Sequence, residues 1–274
     1  MPTDYPTYAP ITKSPTGSSM PSFNYNDPKA WNHGTYSVAS ELDDDGPSLI
    51  ITTPPSTKVG DTLFLFLSRT DAYMPIRLSG WKRGASCYKK NNEQPSCFLA
   101  RDCIDISTSG TNCNKFEIKS SGYTGSGSDL GTIVFYRTVM KNDPTSWTIT
   151  LDQSTRRVWT IVTSISNVNQ TDPIRSAAGT SCDDVNESSF PSVYGKPNDV
   201  LLLSQSFDDT ASRDDFVAPS GTYVLGRTIS RDEFGILFGK ELLSVGPTGK
   251  YITGGKGGSK CKDALLSIVV NRSL

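Results

Sequence analysis

Six cysteines carry the clearest chemistry in this chain of 274 residues. Cys87, Cys97, Cys103 and Cys113 crowd into one polar stretch, while Cys182 and Cys261 stand far apart. An even count favours disulfides, and four clustered cysteines allow three pairings. The expectation is a nested pair, Cys87–Cys113 around Cys97–Cys103. By elimination Cys182 joins Cys261 and ties the last strand down. Zinc is the rival use. It is disfavoured because no Cys-x-x-Cys spacing occurs and His33 is the sole histidine. Three sequons, Asn169-Gln-Thr, Asn186-Glu-Ser and Asn271-Arg-Ser, add candidate N-glycosylation sites at Asn169, Asn186 and Asn271. Even cysteines and sequons together favour an oxidising, secretory setting, extracellular or at the cell surface. The alternative is a cytosolic or virion protein with free thiols. The first residues, Met1-Pro-Thr-Asp-Tyr, lack the basic start and apolar core of a signal peptide.

Acidic clusters are the second chemical signal. Asp43-Asp44-Asp45, Asp183-Asp184, Asp208-Asp209, Asp214-Asp215 and Asp232-Glu233 all fall in expected loops. Calcium takes about six to eight hard oxygen ligands, which such loops supply. Asp71 and Asp209 hold matching positions in the repeat described below. The candidate Ca²⁺ ligands are therefore Asp43, Asp44, Asp45, Asp71 and Asp209. The plainer reading is solvated turn carboxylates. Catalytic machinery is absent by pattern. His33 sits in an Asn-His-Gly turn with nothing to build a triad on. Gly254-Gly255-Lys256-Gly257-Gly258 lacks the ending and the helix of a phosphate loop and reads as a hairpin tip. A glycosidase would need two carboxylates facing each other across a cleft, which no motif marks. Trp81, Trp147, Trp159 and Tyr251 sit on strand patterns and read as core. Tyr88, Phe98 and Tyr123 lie in a polar stretch and are the candidate contact surface.

The elements that must position these groups are strands. One strand occurs twice, as Asp61-Thr-Leu-Phe-Leu-Phe-Leu-Ser68 and Asp199-Val-Leu-Leu-Leu-Ser-Gln-Ser206. At this offset of 138 residues Asp61/Asp199, Leu63/Leu201, Ser68/Ser206 and Asp71/Asp209 coincide. Short apolar runs between turn signals read as buried strands. Ser79-Gly80 and Ser220-Gly221 follow, then paired strands at Gly131 and Gly235, at Trp147 and Tyr251, and a matched Asn167 and Asn271. No segment keeps helical periodicity. The expected fold is all-β: a two-layer antiparallel sandwich, jelly-roll-like, with an internal pseudo-twofold duplication. The alternative is two small sandwich domains. The expected division is a Pro/Thr-rich tether over 1–30 and a sandwich over 31–274. Its first half runs 31–168 with a cysteine-rich insertion at 84–129, and its second half 190–274.

Gly (23) and Pro (17) are frequent and charged residues make up 20%, which suits a turn-rich β protein. Net charge is −1 with no basic stripe, which argues against nucleic acid. No apolar run approaches the length of a membrane span. Residues 2–22 repeat Pro-Thr at a spacing near four, which favours extended polyproline II. That spacing resembles the tethers joining modules in secreted and cell-surface proteins of diatoms and related algae.

A second resemblance covers most of 48–271. Its stretches are Gly60–Leu63, Ser79–Trp81, Gly131–Arg137, Pro144–Thr150, Ile165–Ile174 and Asn198–Leu202. The series is similar to a β-sandwich module of phage virion and bacterial surface proteins. It implies a structural or adhesive module and not an enzyme. The expected role is a non-enzymatic extracellular module that assembles with itself or binds surface glycans or proteins. A carbohydrate-binding module, with or without Ca²⁺, is the alternative.

Overall fold

The computed structural model describes residues 46–273, apart from 56, 70–75, 79, 89–95, 100–130, 156–157, 182–186, 209–217, 231–232 and 255–262. The first half carries β1 (Gly46–Thr52), β2 (Thr62–Arg69), β3 (Ile76–Arg77), β4 (Lys82–Tyr88), β5 (Ser96–Leu99), β6 (Gly131–Thr138), β7 (Ser146–Thr155) and β8 (Val158–Ile165). The second carries β9 (Ile174–Ser181), β10 (Glu187–Phe190), β11 (Tyr194–Gly195), β12 (Val200–Asp208), β13 (Tyr223–Ser230), β14 (Glu233–Glu241), β15 (Gly246–Pro247), β16 (Tyr251–Gly254) and β17 (Asp263–Val270). Every strand pair is antiparallel.

Two five-stranded sheets form the centre, ordered β5-β4-β6-β2-β8 and β13-β14-β12-β17-β9. Each is drawn from one half of the chain. Small sheets, β1-β7-β3 in the first half and β10-β16 and β11-β15 in the second, complete the assembly. The repeated strands explain the layering. Along β2, Phe64 and Phe66 join a core shared with Val200, Leu202, Leu266 and Ile268 of the other half. Leu63, Leu65 and Leu67 join a separate core with Leu49 and Ile51 of β1 and Ile149 of β7. The same alternation runs along β12. Val200 and Leu202 enter the shared core, while Leu201 and Leu203 pack with Phe190 and Phe238. Successive side chains of a strand point to opposite faces. A run apolar at every position therefore needs cover on both sides. The two large sheets face each other as the expected sandwich, and the small sheets cover their outer faces.

The duplication is visible in backbone detail. Lys58 N donates to Asp61 Oδ2 at 2.8 Å, and Lys196 N to Asp199 Oδ2 at 2.8 Å. Val139 N donates to Asp61 O and Leu242 N to Asp199 O, both at 2.8 Å. Gly60 (φ 92°) and Asn198 (φ 69°) take the same left-handed position before the long strand. Asparagine is among the few side chains that tolerate it. Arg137 lies over the Trp147 ring at 6.0 Å, and Lys240 over Tyr251 at 5.5 Å. Gly80 (φ 76°) also lets a side chain in: Arg137 Nη1 donates to its carbonyl at 2.6 Å, where a Cβ would collide with that guanidinium.

Two expectations change. The stretch 169–189, left between the two expected halves, contains β9 and most of β10, and β9 pairs with β17 from Ala264↔Ser181 to Val270↔Ile174. The insertion 84–129 holds most of β4 and all of β5, which extend the first large sheet as a hairpin. Backbone ladders recruit these polar segments, and ladders leave no apolar signature in the sequence. Residues 1–45, which hold the expected tether, lie outside the described residues.

Candidate functional site

Three groups of side chains have geometry that bears on function. The first sits where the two large sheets meet. Ser68 of β2 and Ser206 of β12 share a hydrogen bond of 2.6 Å across 138 residues of sequence. Thr132 of β6 closes the cluster, 3.0 Å from Ser68 and 3.3 Å from Ser206. All three are buried. The repeat thus brings its own equivalent serines together. A nucleophilic serine needs a base to take its proton. Among the described residues these hydroxyls bond only to one another, so the cluster joins the two sheets. Ser68→Ala and Ser206→Ala should each cost about 1–3 kcal/mol, since each removes the Ser68–Ser206 bond and one bond to Thr132. The double variant should cost less than the sum, because the Ser68–Ser206 bond is lost in both single variants and so counted twice. Urea unfolding of the four proteins checks this, and strict additivity would refute a shared network.

The second group surrounds Asp199, a carboxylate only 1% exposed. It accepts from Arg175 Nε at 2.5 Å and Nη2 at 3.2 Å, from Lys196 N at 2.8 Å and from Arg272 N at 3.3 Å. Arg175 also donates to Asn271 Oδ1, and Asn271 Nδ2 donates to the Asp172 carbonyl at 2.8 Å. The hydrogen bond to Asp199 raises the Arg175 pKa, which keeps the guanidinium charged. In the first half, the Arg137 hydrogen bond holds the Asp143 carboxyl below its ordinary range. These networks hold turns and chain ends in place.

Of the sequon asparagines, Asn271 is buried and its Nδ2 donates to the Asp172 carbonyl. Asn169 is less enclosed. Its Oδ1 accepts from Thr171 N at 3.0 Å and Asp172 N at 3.1 Å, and the side chain is partly exposed. Asn186 lies outside the described residues, as do Asp43, Asp44, Asp45, Asp71, Asp209, Tyr123, Cys103, Cys113, Cys182, Cys261 and His33. Tyr88 is in β4 and Phe98 in β5, and Cys87 and Cys97 occupy the same hairpin. Of the four expected core aromatics, Trp81 and Trp159 are buried, and Trp147 and Tyr251 are partly buried against the cores. Among the described residues no three His, Cys, Asp or Glu side chains are placed to hold a metal ion, and no helix is long and apolar enough to cross a membrane.

The third group was missed by sequence reasoning. Leu243 is 88% exposed, Val245 60% and Tyr194 49%. Tyr194 of β11 pairs with Pro247 of β15, and Val245 adjoins that ladder. In the first half Met140 (60%) and Val59 (64%) are exposed beside the matching turn. Val139 and Leu242 are buried and their successors are not, so each half ends a strand on a buried–exposed apolar pair. Both pairs stand at one end of the sandwich. Val168↔Arg272 bridges that end, and Asn169 N donates to Asn271 O at 2.8 Å. Lys58, Lys141 and Lys196 are exposed in the same turns. Leu242-Leu243 was a readable signal: at a strand end only one of two adjacent leucines can face inward.

No family model matches the chain, and no curated protein or solved structure is similar to it.

Proposed function

We propose that this chain is a non-enzymatic, extracellular structural or adhesive module that joins further copies of itself through one end of its sandwich. The observation that carries this reading is the group of exposed apolar tips at that end, Val59, Met140, Leu243 and Val245. Large apolar side chains left in water at adjoining turns favour a contact that covers them. Exposed Lys58, Lys141 and Lys196 surround the tips and disfavour collapse into disordered aggregates. The buried Ser68–Thr132–Ser206 cluster and the Arg175–Asp199 pair are satisfied by each other, which supports a structural use of these groups. Six cysteines and the sequons at Asn169, Asn186 and Asn271 support the extracellular setting. The strand-and-turn pattern that resembles β-sandwich modules of phage virion and bacterial surface proteins also fits a structural role.

The test is light scattering over a concentration series, on the wild type and on a Met140→Ser/Leu243→Ser/Val245→Ser variant. The wild type should gain mass with concentration while the variant stays monomeric at an unchanged Tm. A wild type that remains monomeric throughout sinks the self-assembly reading. Retention on immobilised glycans would then favour a carbohydrate-binding module.

A further inference from the structure

We infer from the strand register that Cys87 and Cys97 form a disulfide across the β4–β5 hairpin. This replaces the nested pairing expected from the sequence, and it concerns the covalent frame of the module and not its partner. The ladder pairs Ala85 with Leu99, Ser86 with Phe98, Cys87 with Cys97 and Tyr88 with Ser96. The two cysteines are therefore direct partners. Residues directly opposite on antiparallel strands have Cα atoms about 4.5–5.5 Å apart and share one face of the sheet. A disulfide spans Cα separations of about 4.4–6.8 Å. Either class of opposed pair lies inside that window without any backbone movement. Each sulfur bonds once, so this pair and the nested pairs exclude one another.

The pairing also has a structural use. β5 lies at the edge of its sheet, and among the described residues its ladder runs to β4 alone. Edge strands of four residues are held by few hydrogen bonds. A covalent rung restricts the unfolded hairpin and so favours the paired state. Formation removes one proton and one electron from each thiol. The electrons pass to a disulfide oxidant, protein or small molecule, which is reduced to two thiols by exchange through a mixed disulfide.

Peptide mapping of the full chain tests this, on protein secreted through an oxidising compartment, alkylated and digested with trypsin without reduction. Cleavage at Arg83, Lys89, Lys90 and Arg101 isolates Cys87 and Cys97 on separate peptides, while Cys103 and Cys113 share a third. The expected result is a linked species of the first two peptides, two hydrogen masses lighter than their sum, that separates on reduction. Cys87→Ser and Cys97→Ser should each abolish it and lower Tm by the same amount as the double variant. Linkage of either peptide to the third, or alkylation of Cys87 and Cys97 as free thiols, would overturn the assignment.

Discussion

Trp81→Ala should lower stability by about 3–5 kcal/mol, the usual cost of deleting a buried tryptophan side chain. A typical domain has about 5–15 kcal/mol in all. Trp81 is 0% exposed and follows the Gly80 turn that starts β4. Its ring meets Trp147 edge to face at 5.3 Å, with an interplanar angle of 89°. It fills the first half's own core, between β2 and β6 on one side and β1 and β7 on the other. Smaller neighbours such as Leu78 and Val139 cannot reach across the gap it would leave. The measurement is urea unfolding followed by circular dichroism, and the shape of the curve matters as much as its midpoint. A core shared by both halves predicts one transition at a lower midpoint. Two separated transitions would show that the halves are independently stable and that the shared core contributes little.

Asp199→Ala is the second large effect, about 3 kcal/mol, because it removes a buried carboxylate that pairs with the partly buried Arg175 guanidinium and accepts from two backbone donors. The repeat supplies an internal control. Asp61 holds the equivalent position but is partly exposed. It accepts from Lys58 N at 2.8 Å and from Ser164 Oγ at 3.3 Å. No arginine reaches it among the described residues. Asp61→Ala should therefore cost only about 1 kcal/mol, the net value of an ordinary hydrogen bond. Equal costs at the two sites, measured by urea midpoint, would mean that the Arg175 pair adds nothing.

These residues show which parts of the molecule can be read from the chain alone. The long strands were legible because Leu63 to Leu67 and Leu201 to Leu203 are apolar at every position and are bounded by turn residues. The internal repeat was legible for the same reason. The outer layers were less so. Nothing in the continuous apolar pattern of β2 says whether one or two extra layers cover it. The strand β9, with sequence IRSAAGTS, was hard to read because Ile174 is its one large buried apolar side chain, and the rest is held mainly by its ladder to β17. The site around Asp199 escaped for another reason. Its members Arg175 and Asn271 stand 96 residues apart, and only tertiary folding brings them together. The exposed tips could have been found, because adjacent leucines at a strand end must part company.

The Ser68–Ser206 contact limits what kind of residue can stand there. Where a pseudo-twofold relation brings equivalent positions face to face, whatever group occupies one position meets its own likeness. Two carboxylates would repel each other, and two ammonium groups would have no acceptor. A hydroxyl is donor and acceptor at once, so it can bond to a copy of itself. Serine is thus a self-matching residue at this place, and the match does not depend on the linking chain. Two separate chains, each folded like one half, could meet through the same contact, since the peptide joining the halves takes no part in it.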